Sequence, residues 1–407
     1  MKTRRTLSWL AGVAGGLLLA VSALGWAGPP WGPGGIKGAL KACEAELEAY
    51  LEEPGAFFPS DRLPELDSYV DTLPELWRGR ARKIIEQCER RSVYQIPVLV
   101  LSYYPVVGTP ETGLFLDPEL TGMSTPLEQI RAHVARTTHH ARWALELGST
   151  YHGLEQRRAG CSLEYDIFDA GEYLEALPVS TFEVPWNPGI YRPDYMQILL
   201  REDICHLVDD LGVQEVWLWG YHFGNIEPAE SNMAGPNGDI SNSERVPDMP
   251  ECDHTYTLYN YNYGRALGEA LENHGHQREA LLAHVDQIGL FEDFINPHGQ
   301  PSPAVNSCGN VHFPPNGVVD YDWRNPTSVQ TDCLDWNPQG TGDVTTVSCA
   351  DWTCDDDGGA TYKVWWMMKF PGRENRLELD RWSRLRNWWD VVGDFDGVVE
   401  SGTGLLR

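Results

Sequence analysis

The stretch Glu272-Asn273-His274-Gly275-His276-Gln277-Arg278-Glu279 places two acids and two histidines within one short run of a chain that has only 12 histidines in 407 residues. On a helix, at about 100° per residue, His276 and Glu279 lie about 60° apart, and Glu269 falls nearly in line with His276. His274 points to nearly the opposite side. The run therefore reduces to one H-x-x-E pair, which can give a metal two ligands while a distant histidine gives the third. His312, in Gly309-Asn310-Val311-His312-Phe313, is the candidate for that role. A set of His276, Glu279 and His312 leaves a coordination position for water, as hydrolytic zinc requires. The competing reading has Glu269 and Glu279 forming ion pairs with Arg265, Arg278 or His276 on a solvated face. Gly275 bears on the choice: a glycine inside a helix costs roughly 1 kcal/mol against alanine, which points to close approach by another segment or to a bend.

A second constellation follows the apolar run Val216-Trp217-Leu218-Trp219-Gly220. In parallel α/β architectures the ligand site lies past the carboxyl ends of the strands, where Tyr221, His222, Glu227 and Glu230 fall. Glu230, flanked by aromatics, could act as a general acid, with Asp320, Asp322 or Glu279 as the second carboxylate of a glycoside hydrolase. Trp219, Tyr221, His222 and Trp323 are then the candidate substrate contacts. Trp217 and Trp219 alternate around Leu218, a pattern that reads first as sheet packing. Most of the 16 tryptophans and 17 tyrosines must serve the core. Asp355, Asp356 and Asp357 could ligate calcium, but they lack EF-hand spacing and read as a solvated turn. Signatures of a serine nucleophile elbow, a P-loop and a dinucleotide site are missing.

These residues need a scaffold, and the hydrophobic pattern supplies one. Ile96 to Val106 is a continuous apolar run of strand length, and Ser162 to Phe168 and Thr255 to Tyr263 are further strand candidates. Thr125-Pro126-Leu127-Glu128 reads as a capping box opening a helix that Gly148 ends. From Arg192 an amphipathic helix is expected to Leu211, then a turn at Gly212 and a buried strand from Glu215 to Tyr221. Alternation of this kind predicts an α/β fold, a largely parallel sheet with flanking helices, either barrel or open three-layer. Residues 296–359 turn to Asn, Pro, Gly, Asp and Cys and read as long ordered loops.

The basic start, the apolar run Leu7 to Leu24 and the small residues after it predict a signal peptide over 1–27 and a secreted or periplasmic product. Arg4-Arg5 also fits twin-arginine export. Residues 28–92 read as a linker and two helices, with Cys43 and Cys88 placed to tie them, and 93–407 as the hydrolase domain. Loss of Lys2, Arg4 and Arg5 with the signal would take the formal charge from −28 to −31. That balance disfavours nucleic acid and stable membrane association, and suits cations such as calcium. Nine cysteines in an exported chain imply disulfides, and Cys308, Cys333, Cys349 and Cys354 are expected to staple the loop-rich region.

The sequence resembles an uncharacterised secreted bacterial family over roughly 192–396. The match lies in the GHxxE run at Gly275, in GNVHFPPN from Gly309, and in Asp320-Tyr321-Asp322-Trp323. That resemblance implies no activity. From the residues, the expected function is a secreted hydrolase of an extracellular polymer, glycan or peptide. It would cleave glycosidic bonds with paired carboxylates, or peptide, amide or ester bonds with zinc. A non-catalytic glycan-binding surface protein is the third expectation.

Overall fold

The computed structural model describes residues 94–150, 161–295, 308–336, 342–372 and 387–402. The expected signal peptide, linker and N-terminal helices, with Cys43 and Cys88, lie outside the described residues. Within them the protein is a mixed α/β fold around a five-stranded, largely parallel sheet.

The strands are β1 (Tyr94–Tyr103), β2 (Leu163–Tyr173), β3 (Glu215–Gly220), β4 (Ser231–Ala234) and β5 (Tyr256–Asn262), in the order β2-β1-β3-β5-β4. β1 pairs in parallel with β2 and β3, β3 pairs in parallel with β5, and β4 closes the far side antiparallel to β5. Their composition follows their place. β3, with neighbours on both sides, is buried along its whole length. β2 has one neighbour and carries Glu164, Asp166, Asp169 and Glu172, the charged edge that discourages pairing with another chain.

One face of β3 is covered by two helices, α1 (Leu127–Gly148) and, further along the chain, α3 (Leu267–Val285). Trp219 donates its indole N–H to Thr138 Oγ1 of α1 at 2.9 Å, and Trp217 meets His274 of α3 edge-on with 5.6 Å between ring centroids. The alternating tryptophans are thus packing residues of the sheet.

Two local expectations shift. Thr125 does not cap α1, which begins after Pro126 without a side-chain cap. The residue before a proline is held extended, and the Thr125 carbonyl instead accepts from Leu116 N at 3.0 Å. The helix expected to reach Leu211 is α2 (Tyr195–Arg201), interrupted where Asp203 takes φ 55° and resumed as a π-helical turn over His206–Asp210.

The described cysteines form disulfides, as expected. Cys205–Cys252, Cys308–Cys333 and Cys349–Cys354 are bonded, and Cys161 is also in a disulfide. Two of these staple the loop-rich region, where a short hairpin pairs Val329–Thr331 with Thr345–Val347 before helix α4 (Ala360–Met367). No helix among the described residues is long and apolar enough to cross a membrane.

Candidate active site

Helix α3 starts just past the carboxyl end of β5, so its first turns stand where a parallel sheet presents ligands. Gly275 faces the loop that carries His312. A β-carbon there would lie inside van der Waals contact of Val311 Cγ2, so the loop can settle onto the helix only because that carbon is missing. This seating brings His276 Nε2 to 3.0 Å from His312 Nε2, and His312 Nε2 to 3.1 Å from Glu272 Oε1. Ligand atoms of Glu272, His276 and His312 all lie within 4.8 Å of one another, a group that could hold a metal ion. Two nitrogens bound to one tetrahedral zinc at about 2.1 Å stand roughly 3.4 Å apart, close to what is observed.

Both imidazoles are oriented from behind. Glu279 Oε2 is 3.0 Å from His276 Nδ1, and Asp320 Oδ1 is 3.1 Å from His312 Nδ1. A carboxylate on Nδ1 holds the proton there and leaves the Nε2 lone pair free, the usual support of a metal-binding histidine.

Glu279, expected as a ligand, thus stands behind the cluster, and its other oxygen accepts from Val311 N at 3.0 Å. The carboxylate at the shared point is Glu272. Helical side chains lean toward the N-terminus, so His276 projects over the turn carrying Glu272, four residues before it, and away from Glu279. His274 is fully buried beneath the helix, with its Nε2 2.5 Å from the Tyr261 hydroxyl and its ring stacked on Tyr259.

Lys363 of α4, only 1% exposed, donates to Glu272 Oε2 at 2.8 Å and to the carbonyls of Gly268 and Gly358 at 2.8 and 3.0 Å. Its ammonium also lies 4.1 Å from the Trp323 ring centroid. Burial alone would raise the Glu272 pKa. The His312 hydrogen bond and the Lys363 charge outweigh it and hold the carboxyl down at about 2. Burial disfavours the charged form of His276, yet Glu279, Glu230 and Glu272 together shift its pKa upward. The site is built to attract positive charge.

Two further residues face this cluster. Glu230 Oε2 is 3.8 Å from His276 Nε2 and is held by the Asn242 side-chain amide. Tyr321 takes φ 62°, rare for an aromatic residue, with its N–H on the His312 carbonyl at 3.1 Å and its ring 4.5 Å from the His312 ring. Partial burial and the carboxylates of Glu272, Asp320 and Glu230 push its phenol up to about 12, so it remains a proton donor.

A cleft of about 400 Å³ opens beside the cluster and shares Glu230 with it. Its lining includes His222, whose pKa burial pushes down to about 4, and the indole of Trp186. The remaining sequence candidates are placed as follows. Asp322 accepts from Val318 N and Asn325 Nδ2 within its own loop. Tyr221 is buried and accepts from Leu177 N, Trp219 backs the cleft from the sheet, and Trp323 underlies Lys363. Asp357 caps α4 and Asp356 pairs with Arg324. Among the described residues one other group converges, Cys205, Asp209 and Cys252, but its sulfurs are consumed in a disulfide.

Glu272, Lys363 and Tyr321 are the residues that sequence reasoning passed over. Glu272 had a signal, the E-x-x-x-H spacing to His276, and Lys363 is the one charge in an apolar helix. Comparison with protein-family models, curated proteins and solved structures matches none of them to this chain.

Proposed function

We propose that this protein is an exported, zinc-dependent hydrolase of acyl bonds, ester or amide, with the metal held by His276 Nε2, His312 Nε2 and Glu272 Oε1. The observation that carries the reading is the convergence of these three atoms while a separate carboxylate supports each imidazole. Two imidazoles suit zinc better than calcium, which takes oxygen ligands. Bound zinc would supply Lewis acidity and lower the pKa of water. Glu230, in the open space beside His276, takes the proton of the attacking water, and the Tyr321 phenol donates to the oxyanion that develops on the acyl carbon. Lys363 fixes Glu272, and Glu279 and Asp320 fix the rings.

Paired-carboxylate glycosidase chemistry has less support. Asp322 is engaged in its loop, Glu279 is held against His276 and Val311, and Asp320 is held against His312, so each carboxylate expected as the partner of Glu230 is already engaged. A purely binding role leaves the supported histidine pair unexplained. The test is elemental analysis of untagged protein, with chelation and an acyl-ester assay. We expect about one zinc per chain, lost in His276→Ala and in His312→Ala, and activity removed by chelator and restored by zinc. Protein that binds no transition metal would overturn the reading.

A further inference from the structure

The cleft beside the cluster has a lining that selects among substrates. Arg192 and Arg265 both reach it, but Arg192 is committed to Glu244 at 2.7 Å and to the Glu227 carbonyl, and Arg265 to Glu269 at 2.8 Å. Each of these positive charges is offset by a neighbouring carboxylate before any phosphate, sulfate or carboxylate ligand arrives. Glu227, Glu230 and Glu269 add negative charge, and Asn242, Asn260, Asn262 and Asn273 supply amides. Such a wall disfavours an anionic substrate and suits a neutral one rich in hydroxyls.

Trp186 strengthens the case. It is 65% exposed, the only tryptophan with so open a side chain among the described residues. Yet it is held firmly: its indole N–H donates to Glu227 Oε1 at 3.2 Å, and the buried Arg192 guanidinium stands 5.2 Å from its ring centroid. An aromatic ring fixed at its indole N–H, with a cation over one face and most of its surface left in water, is a platform for the C–H face of a sugar ring, whose hydroxyls the amides and carboxylates can then bind.

We infer that the cleft is a sugar subsite and that the substrate is a neutral glycan bearing the acyl group to be removed. The bond cleaved rests on the zinc reading above, but glycan binding does not. In the reaction, water gives its oxygen to the acyl carbon, the bond to the sugar oxygen or nitrogen breaks, and the proton passes to that leaving atom. A free carboxylic acid and the de-acylated glycan are released.

The experiment is titration calorimetry of the full chain and of His276→Ala, Trp186→Ala and Trp186→Phe. The probes are N-acetylated chito-oligosaccharides, O-acetylated xylo-oligosaccharides, oligogalacturonate and an acetylated peptide. We expect one of the neutral glycans to bind, at least tenfold more weakly to Trp186→Ala, with Phe restoring most of the loss and zinc content unchanged. His276→Ala should still bind it. Absence of neutral-glycan binding at millimolar concentration, preference for oligogalacturonate or the peptide, or indifference to Trp186→Ala would overturn the inference. Glycan binding by protein that holds no zinc would leave the subsite standing and remove the zinc reading instead.

Discussion

Val311 packs directly against the bare α-carbon of Gly275, and this contact places His312 over His276. A methyl group there must push the loop away or bend the helix. Overpacking of this kind typically costs about 1–3 kcal/mol. Gly275→Ala should therefore lower the melting temperature and, because the two Nε2 atoms separate, weaken zinc binding at least tenfold. The double variant Gly275→Ala with Val311→Ala removes the obstructing methyl and should recover most of both. If the single change left zinc affinity untouched, the contact would not be what brings the histidines together.

Glu272 and Glu279 lie on one helix, seven residues apart, and touch different atoms of the histidine pair, so their substitutions should separate. Glu279→Gln keeps the ligand set and loses only support at Nδ1, for which a 10–100-fold loss of zinc affinity is expected. Glu272→Gln removes a ligand and also strands the buried Lys363, a loss on the order of 3 kcal/mol in stability. Adding Lys363→Met should restore the melting temperature but not the zinc. Equal zinc loss in the two single variants, by titration with a competing chelator, would count against this division of roles.

Much of the sheet was legible because its physics is local: uninterrupted apolar runs for β1 and β3 and strand-length segments for β2 and β5, whereas the short antiparallel β4, between β3 and β5 in the chain, was not anticipated. Part of the site was legible too. Gly275 signalled close approach before any partner was visible, and His312 could be chosen as the partner histidine. What the reading missed was direction. Angular spacing alone makes Glu279 and Glu272 comparable neighbours of His276, and only the lean of helical side chains toward the N-terminus separates ligand from support. Lys363 could not be paired with Glu272 from spacing, because α4 and α3 meet only through tertiary packing. Asp203 broke an amphipathic helix that the pattern would have continued, which hydrophobic periodicity cannot detect.

Tyr321 presents a phenol to the cluster from a backbone conformation that aromatic residues seldom adopt. If the phenol donates to the developing oxyanion, its contribution is confined to the transition state. Tyr321→Phe keeps the ring contacts with His312 and Trp323 and removes one hydrogen-bond donor. Turnover should fall about 10²–10³-fold with KM nearly unchanged and zinc content intact. A change confined to KM would move Tyr321 from the reaction to substrate binding.

Glu215 opens β3 from inside the core, accepting from the Trp217 indole at 2.7 Å and from the Tyr165 hydroxyl at 3.5 Å. Burial pushes its pKa up to about 7, opposed by the Trp217 hydrogen bond and the Arg278 charge. A carboxyl that holds its proton more tightly when folded than when unfolded stabilises the fold below its unfolded pKa. That contribution is lost as pH rises through the folded value. Between about pH 4.5 and 7, then, this group makes the protein progressively less stable, by on the order of 2–3 kcal/mol across the window. Asp239, pushed up by burial to about 6, acts in the same direction. Glu215→Gln keeps an acceptor for Trp217 and cannot ionise. Its melting temperature should match the parent near pH 4.5 and exceed it by several degrees at pH 8. Parallel melting curves across that range would mean that Glu215 is ionised in the folded protein throughout, its charge carried by Arg278.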